Sequence, residues 1–129
     1  MAEGIVIREA HFPGRAPVEA YGNGGFRFAG MSHRGSILCL PSGVYEWDPA
    51  DPLMLTRDDF AKVLEEAANI EILLVGMGKE LRRLPAPLRE ALKGAGISSD
   101  PMSTGAAVRT YNVLLAEDRA VAAAFLAVD

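Results

Sequence analysis

The chain has 129 residues, half of them apolar, with a net charge of −4 and a sequence pI near 5.2. This length suits one domain with a real core, and the apolar fraction excludes a disordered chain. An acidic chain with dispersed charges is poorly suited to phosphate backbones, so we expect no nucleic-acid partner. The longest apolar run, 120–128, is far shorter than the roughly 20 residues that span a bilayer, which predicts that this is not an integral membrane protein.

Compartment and domain organisation follow from the cysteine count and the first residues. Cys39 is the single cysteine, which excludes an intrachain disulfide and favours a reducing compartment. Residues 1–15 lack the apolar core of a signal peptide, and they hold two basic residues and no serine, unlike a transit peptide. We therefore expect a cytoplasmic protein with a single domain over 1–129, in which 1–16 form a loosely structured N-terminal arm.

The first half of the chain predicts β-structure. Short apolar or alternating stretches separated by glycine and proline turns are typical of strands. The predicted strands are 18–21, 26–28, 36–40 and 44–47. They form an antiparallel set of three or four strands, and the proline-rich stretch 48–52 ends the set as a loop.

The second half alternates between helix and strand. The first helix is predicted from an apolar stripe at helical spacing, with Thr56 or Asp58 as its cap. The residues of this stripe are Phe60, Val63, Leu64, Ala67 and Ala68. A strand at 70–75 follows, then a helix that opens at Pro87, a brief strand at 97–99 that Asp100-Pro101 ends, and a third helix at 104–116. The last strand, within 121–128, is apolar throughout and is expected inside the sheet, so the chain is of the α/β class.

Gly76-Met77-Gly78-Lys79 follows an apolar strand and invites comparison with a phosphate-binding loop. The spacing does not fit the P-loop, and a dinucleotide fingerprint would need a third glycine where Leu81 stands. One interpretation is a tight turn that brings the strand close to a neighbouring helix. The other is a ligand site at the carboxyl end of a strand, where open α/β sheets place their ligands.

The start of the third helix is the second candidate region. Ser103 or Thr104 can cap this helix, and its free amides can bind an anion. Arg109 and Asn112 share one helix face and would complete a polar patch. The alternative is an ordinary helix cap, with Arg109 in a structural ion pair. A ligand-binding site would combine Gly76, Met77 and Gly78 with Ser103, Thr104, Arg109 and Asn112.

Other chemistry is weakly supported by the residues. His11 and His33 have no neighbouring ligands at metal-binding spacing, so no metal or cofactor is expected, and His33 is assigned to a solvated loop. The candidate nucleophiles Ser36, Ser103 and Thr104 have no identifiable base, so no catalytic residue is assigned. Cys39 lies among apolar residues and is expected to be a buried, inert thiol. Tyr45 and Trp47 are either exposed aromatics for a partner or core residues.

The third helix carries a resemblance to a known family. The residues that support it most are Met102, Thr104, Ala106, Ala107, the run 109–114, Glu117 and Arg119. Tyr21, the run 24–26, Gly35-Ser36, Leu40-Pro41, Trp47 and the run 72–78 agree with it. The chain thus resembles, from Val18 to Val128, a family of domains of unknown function that includes the mitochondrial complex I alpha subcomplex assembly factor three. Ser103 departs from the acidic residue more usual there, so the resemblance supports no role for its side chain.

The resemblance implies a three-layer fold, in which helices flank a mixed central sheet and a small antiparallel β subdomain lies alongside. It implies no established enzymatic activity, and mitochondrial relatives act through protein contacts. The favoured hypothesis is a non-enzymatic interaction domain with protein partners, an assembly or biogenesis factor for membrane respiratory complexes. The alternative is an anionic-ligand binding protein or enzyme with its site between Gly76–Gly78 and Thr104. The sequence leaves open whether the chain forms homo-oligomers.

Overall fold

Eight strands and three helices organise residues 12–129, the part of the chain that the computed structural model describes. The strands are β1 (Val18–Gly22), β2 (Gly25–Phe28), β3 (Met31–Arg34), β4 (Ser36–Leu40), β5 (Gly43–Trp47), β6 (Ile72–Gly76), β7 (Ser98–Met102) and β8 (Val121–Phe125). The helices are α1 (Ala61–Glu65), α2 (Ala86–Gly94) and α3 (Thr104–Ala116), with 3-10 turns at Pro52–Met54, Arg57–Phe60 and Ala67–Asn69.

The central sheet has five strands in the order β5-β4-β8-β6-β7. Its β5, β4 and β8 are antiparallel neighbours, whereas β8, β6 and β7 run parallel, so the sheet is mixed. Every residue of β8 is buried, because the strand is central and both faces of the sheet are covered. This confirms the prediction that the last strand lies inside an α/β sheet.

Side chains that alternate along the central strands feed two separate apolar clusters. Leu73 and Val75 face the cluster that holds α1 and α2, whereas Leu74 faces the cluster that holds α3 and the small sheet. The molecule therefore has three layers: α1 and α2, then the central sheet, then α3 with a small antiparallel sheet beside it. This is the predicted fold class.

The small sheet has the order β1-β2-β3 and is built from two tight hairpins. Asn23-Gly24 and Ala29-Gly30 are two-residue loops in which every φ is positive, between 50° and 79°. Type I′ turns require this backbone, and their twist suits the flanking strands. β3 was not predicted, because its exposed residues carry no apolar alternation.

The predicted antiparallel set needs a correction, because its strands belong to two sheets. β4 and β5 are part of the central sheet, and β4 is buried along its whole length, as a strand covered on both faces must be. The apolar–polar alternation of a half-buried strand is therefore absent from β4. The sequence alone did not show that β4 belongs to a different sheet from β1 and β2.

Two further boundaries differ from the prediction. The helix expected across 60–68 is α-helical only over Ala61–Glu65, because 3-10 turns precede and follow it, and the carboxylate of Glu66 just after it accepts hydrogen bonds from the backbone N and hydroxyl of Ser42. Pro101 does not end β7, which lies at the edge of the sheet. Ser98 N and Met102 O bond toward β6, so the alternating Pro101 nitrogen faces outward, where no ladder partner is lost.

The predicted N-terminal arm spans the limit of the described residues. Phe12 forms a β-bridge with Val44 at the outer edge of β5, and Ala16 is buried. Residues 1–11 of the predicted arm, with His11 among them, lie outside the described residues.

Candidate functional site

The carboxyl ends of four strands of the central sheet meet at one edge, which we call the carboxyl edge. In register, Trp47 of β5, Phe125 of β8, Gly76 of β6 and Met102 of β7 end their strands there. The Gly76–Gly78 turn leaves β6 at this edge, and α3 begins there at Thr104. The parallel arrangement thus brings together the two segments of the predicted ligand site.

The glycine turn and the start of α3 are joined by hydrogen bonds. Thr104 N donates to Gly78 O at 2.8 Å, and Gly78 N donates to Thr104 Oγ1 at 3.0 Å. The Thr104 hydroxyl in turn donates to Leu126 O at 2.7 Å, and Leu126 N donates to Gly76 O at 2.9 Å. Thr104 is fully buried. The polar groups that face one another across the predicted crevice are therefore bonded to one another.

Gly76 is required by the close approach of α3. A Cβ atom at this position would lie 3.0 Å from both the Cα and the Oγ1 of Thr104, and 3.2 Å from the Phe125 ring. Met77 is fully buried in the apolar cluster beneath α1 and α2. The turn thus packs as the structural interpretation of the motif requires.

Ser103 caps α3, which agrees with the interpretation of this segment as an ordinary helix cap. Its side-chain oxygen accepts from Ala106 N at 3.3 Å, and its backbone oxygen accepts from Ala107 N at 2.9 Å. With Thr104 N bonded to Gly78, several amides at this helix end already have acceptors within the protein. Fewer donors are left for an external anion than the sequence indicates.

Asn112 is turned toward the small sheet. Its Oδ1 accepts from Val18 N at 2.9 Å, and its Nδ2 donates to Val18 O at 2.8 Å. The side-chain amide thereby imitates a neighbouring strand and satisfies the outer edge of β1. This residue joins α3 to the small sheet, at a distance of two helical turns from Thr104.

Arg109 lies on the exposed side of α3, and the described residues place no carboxylate within salt-bridge distance of it. Its guanidinium and the Tyr21 hydroxyl both lie against Gly105, so the two side chains are neighbours. Val113 follows one turn later and is 57% exposed, and Tyr21 is 42% exposed. We call Tyr21, Arg109 and Val113 the α3 surface. Sequence patterns missed Tyr21, because only the packing of β1 against Gly105 places it there.

Cys39 and Tyr111 form a buried polar contact beneath α3. Burial raises the pKa of the Cys39 thiol to about 12, although the hydroxyl of Tyr111 acts in the opposite direction. Burial is also the main reason why the pKa of Tyr111 lies well above its ordinary value; the Cys39 thiol adds to the rise and Arg15 opposes it. The burial of Cys39 is confirmed, and a thiol that stays protonated is a poor nucleophile.

The structure also decides three aromatic and histidine assignments. Trp47 is a core residue, whose Nε1 donates to Asp59 O at 2.7 Å and whose ring meets Phe60 edge to face. Tyr45 packs on the same core and lies under the ammonium of Lys62. His33 is half-buried in β3, so its assignment to a solvated loop was wrong; the unrecognised edge strand is the reason.

Two further kinds of site are absent from the part of the chain that the structure describes. Within residues 12–129, His, Cys, Asp and Glu side chains do not gather in threes or more in a way that could hold a metal ion. Over the same residues, none of the helices has the length and apolarity needed to cross a bilayer.

Comparison with known proteins bears on the family. A family model described as a protein of unknown function (DUF498/DUF598) matches residues 18–126. The chain belongs to this family. An uncharacterised protein of Rhodobacter capsulatus is 40% identical over 119 residues, which are 92% of this chain and 90% of that protein.

Two further relatives extend the comparison. The mouse NADH dehydrogenase [ubiquinone] 1 alpha subcomplex assembly factor 3 is 28% identical over 122 residues, which are 95% of this chain and 66% of that protein. The chain thus spans about two thirds of the length of this relative. A crystal structure described as an outer membrane protein from Bartonella henselae is 66% identical, with a TM-score of 0.90, and the match covers 92% of this chain and 100% of that one.

Proposed function

We propose that this protein is a non-enzymatic interaction domain that helps to assemble membrane respiratory complexes by binding a protein partner. The observation that carries the proposal is the α3 surface, where Tyr21, Arg109 and Val113 are exposed side by side. Tyrosine and arginine are enriched among residues that dominate binding energy, because each combines apolar area with polar donors. Similarity to assembly factor 3 proteins supports the proposed process.

The chemistry of the carboxyl edge supports the same choice. Thr104 and Gly78 bond to each other, and Ser103 is used as a helix cap. General acid–base or nucleophilic catalysis needs a reactive group beside a base within reach of substrate.

The alternative, an anionic-ligand site between Gly76–Gly78 and Thr104, stays a prediction. A thermal-shift screen with anionic metabolites checks it, because a midpoint increase that Arg109→Ala removes would support that site.

The test of the interaction proposal is affinity capture from cells of the source organism under gentle conditions. We compare the wild-type protein with the double variant Arg109→Glu/Val113→Ser and with Arg89→Glu, which makes the same change of net charge at an exposed position of α2. We expect a reproducible protein partner with the wild type and with Arg89→Glu, and its loss with the double variant. Far-UV circular dichroism verifies that all three proteins are folded.

The outcomes distinguish a failure of the proposed interaction function from a failure of the α3 surface as the contact site. Recovery of no partner with the folded wild-type protein would contradict the interaction proposal. A partner that the double variant retains would contradict the α3 surface as the contact, and a partner lost equally with Arg89→Glu would show an effect of net charge alone.

A further inference from the structure

The outer face of the small sheet, opposite the face that packs against α3, bears a groove. Cross-strand partners share a face of a sheet, and Phe26 and Phe28 point inward, so the alternate positions of β2 point outward. The outward set is Ala20, Gly22, Gly25, Arg27, Ser32 and Arg34. These residues line a groove of about 480 Å³, which we call the hairpin groove.

The floor of the hairpin groove is backbone, and its walls are guanidinium groups. Ala20, Gly22 and Gly25 have little or no side chain, so the strands themselves form the floor. Arg27 and Arg34 stand at diagonal positions of neighbouring strands, because Arg27 pairs with Ser32 and Gly25 pairs with Arg34. Both cationic side chains therefore rise from the same face of the small sheet.

Charges within the protein neutralise this pair incompletely. The Arg27 Nε lies 3.5 Å from Glu19 Oε1, and its Nη1 donates to Ser32 Oγ at 2.9 Å. No salt bridge within residues 12–129 reaches Arg34, whose Nη1 extends to the Asn23-Gly24 turn. The groove is therefore positive on a chain whose net charge is −4.

We propose that the hairpin groove binds a carboxylate-rich segment of the protein partner. This inference rests on the proposed function and adds the chemistry of the partner. Guanidinium groups hold carboxylates through paired hydrogen bonds, which a backbone floor leaves room to form. The lining residues Arg27, Ser32 and Arg34 are exposed, and such an open site cannot enclose most of a small ligand, as small-molecule sites do. Tyr21 pairs with the inward-pointing Phe26 and its hydroxyl lies against Gly105, so its side chain belongs to the α3 surface and not to the outward face that carries Arg27 and Arg34.

The test is a titration of the isotopically labelled protein, followed by amide NMR shifts. The probe is a blocked peptide of glutamates, with a glutamine peptide of the same length and inorganic phosphate as comparisons. We expect saturable shift changes at 20–27 and 32–34 with the glutamate peptide. The variant Arg27→Gln/Arg34→Gln should weaken this binding at least about tenfold, since bonds to charged groups are among the strongest.

The matched control is Arg83→Gln/Arg89→Gln, which removes the same charge from exposed positions before and within α2. It should retain the affinity within about twofold, because screening limits the effect of distant charges. Equal weakening in both variants, shift changes elsewhere on the protein, or absence of binding would overturn the proposal. Phosphate binding at the same residues with equal or higher affinity would also overturn it, since the site would then select anions in general.

The two proposals can fail separately. If the glutamate peptide does not bind while the α3 surface variant loses its cellular partner, the groove assignment alone is wrong. If the peptide binds as expected while no partner is captured from cells, the groove is an acidic-peptide site and the proposed assembly function is wrong.

Discussion

The carboxyl edge and the outer face of the small sheet use their polar groups in opposite ways. At the carboxyl edge, the Thr104 hydroxyl bonds both Gly78 N and Leu126 O and is fully buried. On the small sheet, Arg34 is exposed and has no salt bridge within the described part of the chain. The difference teaches that the usual ligand position of an α/β sheet can serve packing, while an added β layer presents the groups available for binding.

The largest expected effect comes from removing the hydroxyl at the centre of the closed region. Thr104→Val keeps the shape but leaves Gly78 N and Leu126 O without their partner. We expect a loss of about 3 kcal/mol of unfolding free energy, because buried polar groups without partners cost about 1–3 kcal/mol each. Urea denaturation measures it.

Thr104→Ser is the matched control, since it retains the hydroxyl and removes a methyl group. We expect it to cost about 1 kcal/mol, the value of one buried methyl group. If the valine and serine variants were equally stable, the hydrogen bonds would not hold the carboxyl edge closed, and the contrast between the two regions would fail.

The second-largest effect concerns the contact between α3 and the small sheet. Asn112→Leu removes both bonds to the backbone of Val18 and should lower the unfolding free energy by about 2 kcal/mol, because two partly buried groups lose a partner. Val113→Ala, on the exposed side of the same helix, should change it by less than about 0.5 kcal/mol.

Hydrogen exchange locates the loss at Asn112. We expect faster exchange in β1 of the leucine variant while β8 keeps its protection, because only the small sheet depends on this residue. Uniform acceleration over both sheets would mean that they unfold as one unit.

Strand and helix patterns predicted the α/β class, the buried last strand and α3, because these depend on local periodicity. The bonding of Thr104 to Leu126 could not be predicted, since it depends on the register of segments that lie far apart in the chain. β3 and its Arg34 were missed for a different reason. An edge strand that is exposed on one face and along one side has no apolar pattern, so Met31–Arg34 resembled a loop.

The third effect compares one substitution at two glycines. Gly76→Ala places its Cβ against the backbone of Thr104 and should cost about 2 kcal/mol, because a close-packed backbone cannot move aside. Gly105→Ala meets the far end of the exposed Tyr21 side chain, which can rotate away. The better helix propensity of alanine, up to about 1 kcal/mol, then offsets the displacement.

Thermal unfolding of the two alanine variants tests the contrast directly. A melting temperature that falls for Gly76→Ala and is nearly unchanged for Gly105→Ala agrees with a closed edge and an adaptable surface. Equal losses would show that the Tyr21 side chain is held as firmly as the backbone at the carboxyl edge.

The smallest effect at neutral pH concerns Cys39, and its pH dependence tests whether the layer beneath α3 is sealed from water. In the unfolded chain, Cys39 ionises near its ordinary pKa of 9.0, whereas in the folded protein its pKa is about 12. Below pH 9 both states keep the proton, and the stabilising contribution is complete. Above it the unfolded chain loses the proton first, so stability falls by about 1.4 kcal/mol per pH unit until the folded pKa is reached.

The check is urea denaturation of the wild type and Cys39→Ala at neutral pH and at several values between pH 9 and pH 11. The alanine variant should be about 1 kcal/mol less stable at neutral pH, because it loses a small buried group. Its stability should then fall less steeply than that of the wild type, since one titrating group is gone while Tyr111 and the surface groups remain. If the unfolding free energies of the two proteins changed in parallel with pH, solvent would reach the Cys39 thiol. The core beneath α3 would then be accessible to water, as the outer face of the small sheet is.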